Sequence, residues 1–386
     1  MSTTWAVMAG GGTAGHVEPA LAIARALEAR GLPSNQIHFV GSGRGMEATL
    51  VPDAGYRITL LPGRGVQRGR SLRAVLASVR AVLGLMAATL SAIGVLARLR
   101  PAVVLSVGGY AALPSTLAAV VLRVPFVLVE PNSAPGAANR LVGRLARASA
   151  VAFPGTGLPR EVVTGVPLRD EVESVRRDPA SRRSARSCLG VPEGRRVLGV
   201  TGGSLGARRI NDATVDLAAR WRDRSDVAVH HVIGARDFTV LGRAVTDGAA
   251  APSPDGLQYR AVEFERRMPV LLAAADVMLC RAGASTVAEL ATVGVPAVLV
   301  PLPNAPGDHQ GANARAAAAA GAAVVLSDAD CTGERLDGLL GGLLVDDARL
   351  AEMSTAGRAL ARPGAAARVA ELMEQHARPR NPEGGQ

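Results

Sequence analysis

The residue of this 386-residue chain best placed to move a proton is His16, which closes the turn Gly10-Gly-Gly-Thr-Ala-Gly-His16 directly after an apolar run, 5–9. Glycines let a backbone approach a ligand closely, and a helix start behind them offers free N–H groups and a positive dipole to a phosphate. His16 therefore reads as a general base at the meeting point of helix and ligand, or as a plain cap; its position leaves both open. The same device returns half a chain later, where the run 197–201 enters Gly202-Gly-Ser204-Leu-Gly206. Ser204 there can donate its hydroxyl to a phosphate oxygen or merely turn the chain. A third stretch, Cys280-Arg-Ala-Gly283-Ala-Ser-Thr286-Val-Ala-Glu289, reads as strand, glycine turn and helix start. The hydroxyls of Ser285 and Thr286, with the N–H groups around them, suit a diphosphate. Glu289 lies three residues beyond Thr286 on the same helix side and suits a ribose diol, or else serves as its capping-box partner. Gln310 sits in Asp308-His-Gln310 before an Ala-rich helix, with Asp308 as the expected N-cap, and is a candidate for sugar binding. Glu130-Pro-Asn132 ends a strand, where open α/β sheets hold their ligands.

The elements that must carry these residues follow from hydrophobic patterning. Short apolar runs at 37–40, 103–107, 126–129 and 150–153, then 227–233, 277–280, 297–301 and 323–326, alternate with helical segments such as 19–29. Continuously apolar strands separated by helices indicate parallel sheets covered on both faces. Repetition at half-length indicates two such domains, 1–165 and 166–364, divided in the Pro/Gly-rich stretch 154–169. A last helix over 365–376 is placed to pack back on the first domain, and 377–386 reads as a disordered tail.

Several chemistries are excluded. All 43 basic residues are arginine, so no lysine can form a Schiff base, anchor a pyridoxal group or serve a Walker phosphate loop. Gly10 and Gly12 fit the dinucleotide pattern, but the second strand runs into Val40-Gly41-Ser42 without the acidic residue a nicotinamide ribose requires. There is no H-E-x-x-H motif and no Cys/His spacing of a metal site, and neither metal nor cofactor is expected. Three Tyr, five Phe and two Trp are too few for a base-stacking platform, and no nucleic-acid partner is expected. Cys188, Cys280 and Cys331 form no C-x-x-C pair, which suits a reducing cytoplasmic compartment, and the start lacks the basic region of a signal peptide.

The net charge of +10 is unevenly distributed. Residues 1–165 hold 16 Arg against 6 acids, whereas residues 166–386 hold 27 of each. Between Ala54 and Val129 there are nine Arg and no acid. Within that interval a helix expected over 71–99 carries Leu72, Val75, Leu76, Val79, Leu83, Met86, Leu90, Ile93 and Leu96 at helical spacing, near Arg68, Arg70 and Arg73. The uncharged stretch 81–97 is short and diluted by Gly and Ala for a membrane span, so the helix reads either as ordinary core or as one lying on anionic lipid.

Taken together and in order, G-G-T-A-G-H16, R-x-M46-E47, V-G-G-Y110, E-P-N132, G-V-P-L-R169, G-G-S204-L-G-A, R-A-G-A-S-T-V-A-E289 and D-H-Q310-x-x-N-A resemble the signature stretches of the MurG family. The resemblance covers nearly the whole chain. It implies an α/β fold of GT-B type, two Rossmann-like domains with parallel sheets facing across a cleft. It implies an inverting transfer of N-acetylglucosamine from UDP-N-acetylglucosamine to the C4 hydroxyl of the muramyl sugar on an undecaprenyl-diphosphate lipid, at the cytoplasmic face of the cell membrane, beside the cell-wall and division machinery. On that resemblance Ser204 and the stretch Ala284, Ser285, Thr286, Val287 and Ala288 bind the donor diphosphate, Glu289 the ribose and Gln310 the sugar. Thr13, Asn132 and Arg169 line the donor pocket, the uracil meets backbone near Phe264 and Glu265, and the turn with Ala14 and Gly15 holds the acceptor diphosphate. His16 is the base, with Glu130 its rival. The chain departs from the family at Ala14 (T-G-G-H is usual), Pro131 (E-Q-N) and Val166 (G-N-P). The alternatives on the same fold are a UDP-N-acetylglucosamine 2-epimerase, which needs paired catalytic carboxylates, a transferase with another acceptor, and a non-catalytic lipid-binding protein.

Overall fold

The computed structural model describes residues 4–43, 45–62, 72–203, 206–246 and 255–379. Ser204 and Arg68 and Arg70 fall outside them, as do the side chains of Leu72, Arg73, Val75, Leu76 and Val79. The chain forms two compact units, Met1–Arg169 with Gly364–Gln386, and Asp170–Pro363. The first therefore keeps the whole Pro/Gly-rich stretch, ending four residues beyond the expected boundary.

The first unit holds seven parallel strands: β1 (Ala6–Ala9), β2 (Ile37–Ser42), β3 (Arg57–Leu61), β4 (Val103–Ser106), β5 (Phe126–Glu130), β6 (Ala148–Val151) and β7 (Glu161–Val163), in the order β3-β2-β1-β4-β5-β6-β7. Alternate residues of β1 serve opposite faces. Ala6 and Met8 join one core cluster with Phe39 and Leu105, whereas Val7 and Ala9 join the other with Val40 and Val104. Burying each of the larger side chains among them contributes roughly 1.5–3 kcal/mol, which is why these runs are continuously apolar. The helix Ala365–His376 supplies Ala366, Val369, Ala370, Leu372 and Met373 to the first of those clusters. Beyond it Arg378 is fixed: its N–H donates to Ala102 O at 3.0 Å and its guanidinium to Leu122 O at 3.0 Å. The expected disorder thus does not begin at 377, because this arginine caps carbonyls of the sheet unit; residues 380–386 lie outside the described ones.

The second unit holds six parallel strands, β8 (Arg196–Thr201), β9 (Val227–Val232), β10 (Gln258–Val262), β11 (Val277–Cys280), β12 (Ala297–Leu299) and β13 (Ala323–Val325), in the order β10-β9-β8-β11-β12-β13. In each sheet the order reverses next to its first strand, at β1/β4 and at β8/β11. Such switch points open a crevice at the carboxyl ends of the strands. Every glycine turn singled out in the sequence leaves the sheet at one of these four strand ends.

One helix of the first unit, Leu72–Leu99, faces two ways. Ala88, Ala92 and Leu96 are sealed in the core, while Val82, Leu83, Met86 and Leu90 are 57, 59, 57 and 69% exposed. The sequence-level stripe therefore splits: Leu96 packs inward, and Leu83, Met86 and Leu90 form an apolar ridge on the outside. By length and composition Val82–Leu99 is apolar enough to cross a membrane, but its inner face packs chiefly on the helix Gly109–Val121.

Candidate active site

At the β1 end, Gly12 adopts φ +97°, a backbone state that side chains strain to reach, and the helix Ala14–Ala29 starts immediately behind it. The expected helix start at 19 is thus five residues late; Pro19 lies inside the helix. No side chain caps the first turn, whose residues include Ala14 and Gly15, and no acid lies in it. Its exposed N–H groups and dipole are therefore open to an anion. Thr13 Oγ1 lies 3.2 Å from His16 Nδ1. On its other side His16 faces the Gly108-Gly109 turn after β4: a side chain at Gly109, which has φ +76°, would stand 3.5 Å from His16 Nε2. His16 is half-buried between these turns.

Glu130 is a different kind of carboxylate. It is 2% exposed at the end of β5. Its Oε1 accepts from the Asn132 N–H at 3.1 Å and Asn132 Nδ2 at 3.0 Å; its Oε2 accepts from the Gly136 N–H at 2.8 Å and Asn139 Nδ2 at 3.0 Å. Four donors fill the lone-pair positions of both oxygens. Arg169, the last residue of the first unit, pairs loosely with Glu18 at 3.9 Å, within the first turns of the Ala14–Ala29 helix.

In the second unit the β8 turn is made by close approach: a Cβ on Gly202 would stand 2.2 Å from Ala207 N. The next helix, Arg208–Arg220, starts from Ala207 without a side-chain cap. Its Asn211 is buried and donates to Ile233 O and Asp237 Oδ2, both at 3.0 Å, tying this helix to the end of β9. After β11, the helix Ala284–Val293 starts from Gly283, again uncapped. The capping-box reading of Thr286 and Glu289 fails here, since Thr286 stands inside the helix rather than at its cap. Val287 is buried, whereas Ala284, Ser285, Thr286, Ala288 and Glu289 are half-buried. The Ser285 hydroxyl oxygen is enclosed without a hydrogen-bond partner among the described residues.

Gln310 bonds back to its own loop, its Oε1 accepting from the Leu302 N–H at 2.9 Å. Asp308 does not cap the helix His309–Ala319 as expected: it takes a left-handed backbone, φ 52°, and its carboxylate pairs with Arg315 at 2.8 Å. Glu265 Oε1 accepts from the Arg267 N–H at 2.7 Å and its Oε2 lies 2.9 Å from His230 Nε2. Burial pushes the His230 pKa down. That pair ties the loop carrying exposed Phe264 to the buried strand β9.

Sequence reasoning assigned no role to several of the residues that hold these loops. Arg281 follows β11 directly, and its Nη1 donates to Val300 O at 3.1 Å, Pro301 O at 3.2 Å and Asp328 Oδ1 at 2.6 Å. One guanidinium thus joins the carboxyl ends of β11, β12 and β13. A charged residue directly after an all-apolar strand and before a glycine turn was the available signal. Asn139, also buried, had no comparable signal and reads as an ordinary helix polar residue, whereas buried Asn313 stands in the D-H-Q310-x-x-N-A stretch without a role of its own assigned there.

Two doubly wound parallel sheets, each with uncapped helix starts at its switch point, are the two Rossmann-like domains of a GT-B fold. The family descriptions agree: residues 6–151 match the glycosyltransferase family 28 N-terminal domain, and residues 197–374 its C-terminal domain. The chain is 41% identical over 374 residues to the UDP-N-acetylglucosamine–N-acetylmuramyl-(pentapeptide) pyrophosphoryl-undecaprenol N-acetylglucosamine transferase of Acidothermus cellulolyticus, covering 96% of this chain and 97% of that one. Its backbone matches the crystal structure of Acinetobacter baumannii MurG with a TM-score of 0.73 at 30% identity, over 96% of this chain and 99% of that one. A UDP-GlcNAc 2-epimerase from Neisseria meningitidis, 13% identical with a TM-score of 0.64 over 97% of this chain and 100% of that one, shares the fold alone. The chain belongs to the MurG family.

Proposed function

We propose that this protein is an inverting glycosyltransferase that moves N-acetylglucosamine from UDP-N-acetylglucosamine to the C4 hydroxyl of the muramyl sugar of undecaprenyl-diphosphate-linked muramyl-pentapeptide, turning lipid I into lipid II for peptidoglycan synthesis. The observation that carries the reading is that relatives matched over nearly their whole length bear this reaction as their name. The hydroxyl attacks the anomeric carbon from the face opposite UDP, which needs a base on one side and positive potential on the other. His16 is the base in this reading. In the tautomer whose Nδ1–H donates to Thr13 Oγ1, Nε2 is the basic nitrogen and takes the hydroxyl proton. Glu130 fits the role less well, because its oxygens already accept four hydrogen bonds and are shut from solvent. We assign it to positioning Asn132 instead.

The leaving diphosphate draws on the helix start at Ala284–Val293, with Ser204, Ser285 and Thr286 as hydroxyl donors, Glu289 on the ribose and Gln310 on the sugar. Thr13, Asn132 and Arg169 serve the donor, Arg169 adding cationic charge, and the turn at Ala14 and Gly15 receives the diphosphate of the lipid acceptor. The ridge of Val82, Leu83, Met86 and Leu90, in an arginine-rich and acid-free interval, suits a peripheral attachment to an anionic cytoplasmic leaflet. The epimerase alternative requires paired free carboxylates at the strand ends, and Glu130 is not free. The discriminating experiment incubates the protein with UDP-N-acetylglucosamine. UDP release only when a polyprenyl-diphosphate muramyl lipid is present supports the reading; an epimerised sugar nucleotide, or release without acceptor, overturns it.

A further inference from the structure

Among the described residues of the R-x-M-E stretch, Glu47 carries its side chain into the interior beside the β1 turn. It is 1% exposed, and its Oε2 accepts the N–H of Gly12 at 2.7 Å while its Oε1 accepts the N–H of Ser42 at 2.8 Å. One carboxylate therefore joins the turn after β1 to the end of β2. The space around it is made by glycines. A Cβ on Gly11 would stand 2.0 Å from its Oε1, one on Gly41 2.6 Å from its Cγ, and one on Gly45 1.9 Å from its Oε2. Burying a carboxylate is strongly unfavourable unless its oxygens are satisfied. A slot of three glycines built around one, directly beneath an uncapped helix start, serves more than packing.

We infer that Glu47 is a positioning residue for the acceptor half of the reaction. It holds Gly12 in its left-handed state, so that the turn behind it presents the helix-start N–H groups and the Thr13–His16 pair in a single geometry. Glu47 does not touch the reacting atoms. An amide in its place keeps the shape but offers one acceptor oxygen and sets its NH2 against the other N–H, so the turn loses one of its two anchors. This inference rests on the reading that the turn serves the lipid acceptor and that His16 is the base.

The test uses the full chain in steady state with both substrates varied. For Glu47→Gln, kcat/KM for the muramyl lipid is expected to fall roughly 10- to 100-fold, the equivalent of one charge-assisted hydrogen bond. KM for UDP-N-acetylglucosamine and its calorimetric affinity are expected to stay within about twofold of wild type, since Glu47 bonds to no assigned donor residue and most of those residues belong to the other unit. A second arm uses Gly45→Ala, whose added methyl meets Glu47 first. It is expected to lower lipid turnover by itself but to add almost nothing in a Glu47→Ala background. Hydrogen exchange of segment 10–16 is expected to quicken in Glu47→Gln while the second unit is unchanged, which also reports that the variant is folded. Wild-type lipid kinetics in Glu47→Gln, equal losses on donor and acceptor, or multiplying effects of Gly45→Ala and Glu47→Ala overturn the inference and leave the functional reading standing. A wild-type protein that transfers nothing to the lipid overturns both.

Discussion

Replacing Glu130 by glutamine separates a base from a positioning residue. Its carboxylate accepts four hydrogen bonds at 3.1, 3.0, 2.8 and 3.0 Å. A glutamine has one acceptor oxygen, and that oxygen is best turned toward Gly136 and the buried Asn139. Its NH2 then faces the two donors of Asn132, which is only half-buried and can rotate to water. Two bonds to a buried charge are lost and two donor–donor contacts appear, each worth about 1–3 kcal/mol. Relief at the half-exposed side brings the total to about 2–4 kcal/mol, or a fall of about 5–15 °C in the melting of a unit this size. Scanning calorimetry measures the shift, and the first unit is expected to lose stability while the second does not. Kinetics at low temperature, where the variant is folded, should show Asn132 released: a raised KM for the sugar nucleotide, turnover lowered less than about tenfold, and the pH–rate profile unshifted. An unchanged melting temperature with turnover down by about a thousandfold or more would make Glu130 the base and refute this reasoning.

His16→Ala is expected to lower turnover by about 100- to 10,000-fold with calorimetric affinity for UDP-N-acetylglucosamine unchanged; near-normal turnover removes His16 as the base. Replacing Leu83, Met86 and Leu90 together by Gln should weaken sedimentation with anionic vesicles by about 100-fold or more. Turnover on a detergent-dispersed acceptor should be retained, and undiminished vesicle binding contradicts the docking ridge. Acid should destabilise the second unit in a particular window. Burial holds the pKa of His231 down at about 3 against an ordinary 6.5, and burial lowers that of His230 as well. The unfolded chain therefore takes up protons that the folded one refuses. Stability is unaffected above pH 6.5 and declines as the pH falls toward about 3, with a slope of up to ~1.4 kcal/mol per pH unit for each group. Denaturant midpoints at several pH values should show this slope, reduced in His231→Gln; identical slopes count against it.

The central strands were legible because both of their faces are buried, which forces continuous apolar runs. The strands missed in the sequence, Arg57–Leu61, Glu161–Val163 and Gln258–Val262, are edge strands, half-exposed, and their mixed composition carries no such signal. Pro19 looked like a helix start because proline favours the first turn, yet the helix begins at Ala14, where the glycine turn releases it. The apolar stripe of 71–99 was readable as a pattern but not as a direction: spacing alone cannot say that Leu96 packs on the sheet while Leu90 faces outward. Within the site, residues next to glycine turns drew attention, whereas Glu47 and Arg281 act through backbone groups distant in sequence. Their hydrogen-bond partners exist only once the sheets have formed.

The central claim is a transfer between two specified molecules, and its most direct measurement follows the sugar itself. The purified chain is given UDP-N-acetylglucosamine labelled in the sugar and an undecaprenyl-diphosphate muramyl-pentapeptide in vesicles, and the label is counted in the organic phase. The account predicts label in a β-1,4-linked disaccharide lipid, formed with inversion at the anomeric carbon. Label that stays in the aqueous phase, or enters a lipid without the muramyl sugar, contradicts it.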